Sequence, residues 1–547
     1  MQAERAAPWI VGAAFAAPVV IARYPPMGDL AFHEAMVATL RHFGDASWFP
    51  PGLYAMNLGQ PNQLFHLAAT ALSFVVPTDV ACKLVIAATV IAIVVGASRL
   101  AAHAGASRWA SLIVAPIALG WTFQWGLVAN LTGLALLLVS LPELDRLAEE
   151  PTARRAAIAS TAAVAIHFAH ESSAVIFAGA AVLFAVARPM SPRSTLLRLS
   201  PAIVTAALVL RYIVVSERLK APSIRVIPTT FVAIDTKVMQ LPGALFGGAY
   251  DVMVTTTLVA LVIAATLLLV FQKPAAASNT TEPPLDAPPT STRDTIHRHR
   301  FFLLGIACFI AYLAMPLALN GSTLVYHRFL APAYALVVIG AVAGRASHGA
   351  PRPTAIVFAC ALPLAVLLPL LPRFAESART YRDLDALLPL IEKGSAVAQL
   401  DLSPRPASVV APIPGAGARA LAERGGRLLF SFTDAPAAPV TTTPELQWNE
   451  PVLRLTQKPL AFLPAHDLQR FRYVLVRQTD ADSVGLMVTV FEPEARLVAR
   501  SGQWMLFEST LTVVPLASPD AALPTPTPPT LHGRIMRILR EQRRVPE

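Results

Sequence analysis

Residues 63–77 read QLFHLAATALSFVVP, and whether they cross a membrane decides the topology of the whole chain. The run is apolar, but it follows Asn62, carries Gln63 and His66, and stops at Pro77. A helix needs about 20 apolar residues to cross about 30 Å of hydrocarbon. This stretch is shorter than that. Charge gives a second constraint. If 63–77 does not cross, the basic clusters all fall on one side: Arg99 with Arg108, Arg146 with Arg154 and Arg155, Arg188 with Arg193 and Arg198, the Arg293–Arg300 patch, and Arg345 with Arg352. If it crosses, they all fall outside, against the excess of Lys and Arg on cytoplasmic loops. The segment therefore reads as a re-entrant or interfacial helix.

Other apolar runs lie at 8–23, 80–101, 109–126, 127–142, 155–169, 172–187, 199–216, 252–271, 301–319, 327–344 and 354–371, which makes about eleven spans. The first run has Arg5 ahead of it but no small-residue cleavage site after Ile21, so it reads as an uncleaved membrane helix. The expected topology has a cytoplasmic N-terminus and a periplasmic or extracellular C-terminus. Composition agrees: of 547 residues 55% are hydrophobic and only 14% charged, with mean hydropathy +0.55. One water-soluble core cannot hide so much apolar material, and solid runs rather than alternation exclude a β-barrel. The net charge of +10 lies on loops between apolar runs without interleaved aromatics, which excludes nucleic acid as a partner. Cys82, Cys308 and Cys360 all sit in apolar runs and form no disulfide or metal-cysteine pattern. The Ala-, Arg- and Pro-rich composition fits a GC-rich bacterial genome, hence an inner (plasma) membrane.

The predicted fold class is an α-helical polytopic membrane protein with juxtamembrane helices and a C-terminal soluble α/β domain. Its membrane part is 1–372, with an outer loop at 24–79 and a polar, proline-rich disordered cytoplasmic linker at 273–300. The α/β domain is 373–515. Strand-like segments are Ser395–Leu400, Arg427–Phe432, Tyr473–Arg477 and Gly485–Phe491, and Tyr381–Ile391 reads as a helix. A proline-rich tail and a basic amphipathic end at 516–547 complete the chain. That end either rests on the membrane surface or frays.

An ionisable side chain near the middle of a membrane helix costs about 2.5–3.5 kcal/mol. In this topology such groups gather at the outer ends of the helices. After Gly28 the first loop has helical periodicity that puts Asp29, His33, Met36, Leu40 and Phe43 on one stripe, with Glu34 and Arg41 elsewhere. Asp29 and His33 then head an apolar stripe, as pocket residues do, or Asp29 caps the helix and His33 satisfies it. His66 lies in the juxtamembrane run. In a helix, His167, His170 and Glu171 would share a face and hold a divalent metal or a phosphate; otherwise they form a polar turn between two helices. Tyr326, His327 and Arg328 stand at the mouth of a late span, where an Arg can fork to phosphate or snorkel. Trp121 and Trp125, beside Gln124 and Asn130, suit the membrane interface or a stacked sugar ring. Arg211 is a further anion-binding candidate.

Together, Pro25–His33, Pro61–His66 and Arg328-Phe329 resemble the GT-C superfamily of integral membrane glycosyltransferases, a likeness that covers about 1–372 as architecture. It extends to uncharacterised bacterial members whose outer domains carry segments like Tyr473-Val-Leu-Val and Gly502-Gln-Trp504-Met-Leu-Phe507. The resemblance implies transfer of a hexosyl or pentosyl group from a polyprenyl-phosphate-linked sugar to an acceptor glycan, lipid or protein on the outer face. It implies catalytic work for Asp29 with His33 and Glu34. Substrate binding would fall to His66, Trp121, Trp125, His167, His170, Glu171, Arg211, Tyr326, His327 and Arg328. A divalent metal is the one cofactor it admits, with no ligands assigned. Many members carry two adjacent acidic residues in this loop; here Leu30 follows Asp29. Two other readings stay open: a transporter or flippase, and a non-catalytic scaffold of envelope assembly. Against transport, the polar groups avoid the midplane and no internal repeat is evident.

Overall fold

The computed structural model describes residues 2–188, 191–219, 228–247, 252–271, 292–319, 322–343, 352–402, 415–448, 455, 458–478, 483–516 and 530–542. Helices α1 (Gln2–Ile21) and α4 (Thr78–His103) pack antiparallel. Glu4, at the start of α1, accepts hydrogen bonds from Ser107 Oγ at 2.9 Å and the Arg108 amide at 2.8 Å, just beyond the end of α4. At the other end Lys83 Nζ donates to the Ala22 carbonyl, 3.3 Å away. The chain between them returns to the end it left. Helix α3 (Leu64–Ser73) therefore does not cross: ten residues span only about 15 Å. The short polar helix α2 (Leu30–Arg41) lies at the same end.

Eight helices among the described residues are long and apolar enough to span, fewer than the run count predicts. The expected span at 109–126 is broken into α5 (Ala110–Val114), a 3-10 turn (Ala115–Leu119) and α6 (Trp121–Trp125), with Pro116 and Gly120 at the breaks. After α7 (Val128–Glu149), the pair α8 (Ala153–Ala169) and α9 (Glu171–Val186) have 17 and 16 residues, at the short limit for a crossing, and run from the Glu149 end to the opposite end and back to Arg188. There follow α10 (Pro192–Leu219), α11 (Ile234–Phe246), α12 (Val252–Val270), α13 (Thr292–Ala314), α14 (Leu330–Ala343) and α15 (Pro353–Asp385). The linker was expected to reach 300, but α13 already begins at Thr292; 273–291 lie outside the described residues. Helices α13 and α14 meet backbone to backbone. A Cβ at Gly340 would lie 2.4 Å from the Phe302 nitrogen, and one at Gly305 2.7 Å from the Val337 nitrogen. In lipid, small residues permit this approach and the dispersion contact that follows from it.

The early ends of α1 and α13 and the late ends of α4, α7 and α9 form one charged cluster. Asp145 takes both Arg300 Nε and Nη2 at 2.7 Å and lies 2.7 Å from His103 Nε2, while Arg188 reaches Glu149 at 3.0 Å. Basic groups from four of the five clusters read in the sequence thus meet at one end.

At the opposite end stands a five-stranded mixed sheet in the order β5-β4-β7-β9-β8, where β4 is Ala396–Asp401, β5 Arg427–Leu428, β7 Tyr473–Arg477, β8 Ala495–Ser501 and β9 Trp504–Ser509. Strand β4 runs parallel to β5 and β7, and β9 antiparallel to β7 and β8. Alternation sorts the side chains onto two faces. Val474, Val476, Met505 and Phe507 pack with Phe462, Met487 and Phe491 on one face. Tyr473, Leu475, Trp504 and Leu506 pack on the other with Phe32, Ala35 and Tyr24 from the first loop and Tyr381 and Leu384 from α15. The first face is closed by the domain's own residues; the second is shared, with α2 lying beside the domain's own Ala416–Ala422. Accordingly α2 is buried all round from Leu30 to Leu40, where the sequence suggested a solvated second face. Between α2 and α3, β1 (Tyr54–Met56) pairs antiparallel with β6 (Val440–Thr442).

Three local expectations fail. Gly485–Phe491 is not a strand but part of a helix, α17 (Ser483–Phe491), because Met487, Val490 and Phe491 bury at helical spacing on the sheet. Strand pairing at 427–432 stops at Leu428, and a 3-10 turn follows at Phe432–Asp434. The amphipathic end, α18 (Leu531–Gln542), packs on the sheet domain rather than on a membrane: Leu531 is fully buried and Arg534 forks to Glu494 at 2.6 and 2.7 Å. The helix expected at Tyr381–Ile391 is the end of α15 followed by a 3-10 turn at Leu388–Leu390.

Removing one partner of a buried charge pair strands the other, at a cost of about 3–5 kcal/mol. Asp145→Ala should therefore lower the thermal unfolding midpoint in detergent clearly. A midpoint equal to wild type would show that the charged cluster does not hold α4, α7 and α13 together.

Candidate functional site

The site begins at a backbone contact. The Gly28 amide donates to the Gln124 carbonyl at 2.9 Å, and the Asp29 amide to the Trp125 carbonyl at 3.0 Å. Gly126 makes this approach possible: its φ is +80°, and a Cβ there would lie 2.6 Å from the Asp29 nitrogen. The break in the 109–126 segment thus has a use, since it offers free carbonyls to the first loop. Gln124 itself reaches across to the Phe246 carbonyl at 3.0 Å.

Asp29 precedes α2 but makes no side-chain capping bond. Its carboxyl is half-buried, and loss of water pushes its pKa up to about 7. Of the two readings the sequence left open, the cap is excluded. One turn on, His33 Nε2 lies 3.0 Å from the Gly126 carbonyl and Nδ1 lies 2.9 Å from His66 Nε2. A carbonyl only accepts, so His33 carries its proton on Nε2 and receives one from His66 on Nδ1. Burial lowers both imidazoles, His33 further through the neighbouring His66 and His66 to about 4, so both are neutral at pH 7. Glu34 points away from this group. It is 2% exposed and pairs with Arg419 of the sheet domain at 2.5 Å.

The second cluster has a different shape from a helical face. Helix α8 ends at Ala169, and His170 is extended, accepting from the Ser172 amide to cap α9. His167, His170 and Glu171 therefore form the polar turn rather than a metal face, and no three His, Cys, Asp or Glu side chains converge as a metal site among the described residues. Asn130 bonds to the same turn through Ser172 Oγ at 3.4 Å. Glu171 binds Arg328 Nη1 at 2.5 Å and receives the side chain of Asn62, whose φ of 66° is a left-handed conformation. Arg328 Nη2 donates to the Thr323 carbonyl at 3.1 Å, within a two-strand hairpin of β2 (Ala318–Leu319) and β3 (Ser322–Thr323). Among the described residues, the Arg328 Nε, the His327 Nδ1 and both ring nitrogens of the fully buried His167 have no partner. Such atoms cost about 1–3 kcal/mol each when left empty.

Stacked rings join the two clusters. Trp121 lies flat on His327 with centroids 4.1 Å apart, His327 on Tyr326 at 4.0 Å, and Trp121 is 5.7 Å from Trp125. Lys237 stands 4.5 Å from the Tyr326 ring and donates to the Leu313 carbonyl at 2.8 Å, closing the end of α13. Contacts thus run in a closed circuit: Asp29, Trp125, Trp121, His327, Arg328, Glu171, Asn62, His66, His33. Arg211 stands apart from it, exposed, with Nη1 on the Gly59 carbonyl. Trp121 has one face taken by His327, so Trp125 is the more open ring of the pair. Sequence reasoning missed Asn62, Gly126, Lys237 and Arg419. Lys237 was findable, as the one cation of an otherwise apolar helix that begins at Ile234-Asp235; the others gain meaning only from partners distant in the chain.

No family model and no curated protein matches the sequence. Solved structures do. The crystal structure of ArnT from Cupriavidus metallidurans bound to undecaprenyl phosphate aligns with a TM-score of 0.55 at 11% identity, over 95% of this chain and 100% of that one. Its apo state aligns at 0.53 and 12%, over 93% and 98%. The arabinofuranosyltransferase AftD from Mycobacteria aligns at 0.47 and 16%, over 93% of this chain and 41% of that one. The chain shares the fold of ArnT over nearly its whole length, in keeping with what its first loop and late-helix element suggested.

Gly126→Ala should push the Asp29 amide off its carbonyl. Amide exchange in 28–33 is expected to quicken at least tenfold by mass spectrometry; unchanged protection would mean that the hinge does not seat the first loop.

Proposed function

We propose that this protein is a glycosyltransferase of the outer membrane face, moving a sugar from a polyprenyl-phosphate donor to an acceptor hydroxyl. The observation that carries the proposal is Asp29: an uncapped, half-buried carboxylate with its pKa near 7, seated by the backbone of a broken helix in a chain of GT-C fold. A general base works best when its pKa lies near the working pH. The Asp29 carboxylate takes the acceptor proton as the acceptor oxygen bonds to the anomeric carbon. The bond from that carbon to the phosphate oxygen breaks, and its electron pair leaves with the lipid phosphate. Arg328 would meet the growing charge through its free Nε–H, with His167 close by as a further donor. Glu171 already balances Arg328, so the cation is oriented before substrate arrives. His33 and His66, both neutral, hold α2 against the hinge rather than carry charge. The share of binding left to Trp125 is stacking of a sugar ring.

Orientation follows from charge. The Arg-rich cluster around Asp145 would face the cytoplasm of a bacterial inner membrane, leaving the sheet domain and Asp29 outside. The acceptor class is a glycan, lipid or protein hydroxyl, since the base needs only an accessible O–H.

The test is sugar release from a panel of polyprenyl-phosphate sugars by purified protein, wild type against Asp29→Asn. Asp29→Asn should reduce kcat by about 10²–10⁴ without loss of fold. In the wild type, kcat/KM should rise with pH and level off above about 7, because only the ionised carboxylate accepts a proton. Arg328→Ala should lower kcat and kcat/KM together, as loss of a leaving-group contact does. No turnover with any donor, alongside solute or lipid movement in liposomes, would overturn the proposal in favour of transport.

A further inference from the structure

The sheet domain touches the Asp29 segment at more than one point, and one residue gathers most of those contacts. Arg419, 5% exposed, lies at the start of α16 (Ala418–Arg424). Its Nη1 donates to Glu34 at 2.5 Å and its Nη2 to the Tyr24 hydroxyl at 3.3 Å, and its guanidinium carbon stands 4.9 Å from the centre of the Tyr24 ring. Tyr24 and Glu34 flank Asp29, five residues before it and five after.

We propose that Arg419 is a positioning residue for Asp29, clamping the chain on both sides of that carboxylate so that the sheet domain completes the site instead of standing beside it. The clamp has its own supports. Glu423 also binds Arg419, the Tyr24 hydroxyl also binds Asp385, and Arg23 pairs with Asp385 at 2.9 Å. Tyr24 stacks on Tyr381 with centroids 4.7 Å apart, and the Asp29 charge is felt at Tyr381. The chain leading into α16 presses on the same segment: a Cβ at Gly415 would lie 3.3 Å from the Gly28 carbonyl and 2.7 Å from Phe32. The segment is thus gripped between the hinge at 124–126 on one side and the sheet domain on the other. A planar fork suits this role, because three acceptors in different directions share one cation. Burial alone would lower the Arg419 pKa; Glu34, Tyr24 and Glu423 outweigh it and raise it, so the cation persists at any pH the protein meets. Of the titratable groups around the segment, Tyr381 feels the Asp29 charge, while His33, Glu34, Asp385 and the Arg419 cation lie on the elements packed around it.

The inference rests on the transferase reading only for the role given to Asp29, and its test needs no substrate. A carbodiimide couples an amine to a carboxyl only while that carboxyl is protonated. Labelling of Asp29 in the full-length protein in nanodiscs, followed by mass spectrometry across pH, gives its titration midpoint. Wild type should titrate near the value of about 7. Arg419→Gln should let water reach Asp29 and move the midpoint down by at least one unit toward the value of about 3.9 for an open Asp. Labelling at pH 7 then falls severalfold. Amide exchange should quicken across 28–41 while β4 and β7 keep their protection. Glu34→Gln cuts the same link from the other side, leaves Arg419 its Glu423 partner, and should give the same shift; it carries the test if Arg419→Gln does not fold. A midpoint within half a unit of wild type in the folded variant would overturn the proposal. So would full recovery in Arg419→Lys, which restores charge without the fork. Failure to find a sugar donor leaves these readouts intact and bears on the transferase reading alone.

Discussion

Hydrocarbon offers no partner to a polar atom, and that constraint orders the molecule. A backbone or side-chain group left unpaired at membrane depth costs several kcal/mol, so charge and irregular chain are driven to the two ends of the helices. The ends answer in opposite ways. At one, Asp145, Arg300 and His103 satisfy one another within 2.7 Å, and Glu4 closes on Arg108. At the other, Asp29 has no capping bond, and His167 and Arg328 keep nitrogens with nothing to bind. A closed set of charges holds helices; an open set of the same kinds of group is suited to a visitor.

Much of this was legible. The length of 63–77 and the placement of arginines were enough to keep α3 from crossing, and the paired ends of α1 and α4 agree. The strand at Tyr473–Arg477 follows from its composition, and so does the polar character of the turn at His167–Glu171. What could not be read depends on distance in the chain. Glu34 looks solvated from its own helix, because Arg419 lies 385 residues away. Gly485–Phe491 carries strand-forming residues, yet the sheet surface it covers selects helical spacing. The break at Pro116 and Gly120 shows in the sequence as two permissive residues; that it would receive Asp29 does not.

The shared core recasts the sheet domain. One face is covered by its own helices, and the other is completed by α2 and α15 beside its own Ala416–Ala422, so the membrane part supplies a share of its interior. The pairing of β1 with β6 adds a backbone link, and Asn57 Nδ2 adds bonds to the Pro436 and Ala438 carbonyls at 2.9 Å. The first loop and the sheet domain therefore share packing and backbone pairing, although about 350 residues of chain separate them.

Helix α15 joins the two parts as one continuous helix, with Pro363, Pro369 and Pro372 inside it. Its 33 residues extend about 50 Å, against about 30 Å of hydrocarbon, and its last turns are bonded to the sheet domain through the Thr380 carbonyl and Trp504. It acts as a mast of fixed length. The domain it carries stands at a set height over the bilayer, and that height changes only if the mast leans. Bilayers of different thickness lean helices by different amounts. A lean of this helix would carry the headpiece with it, because Trp504 is bonded to its last turns.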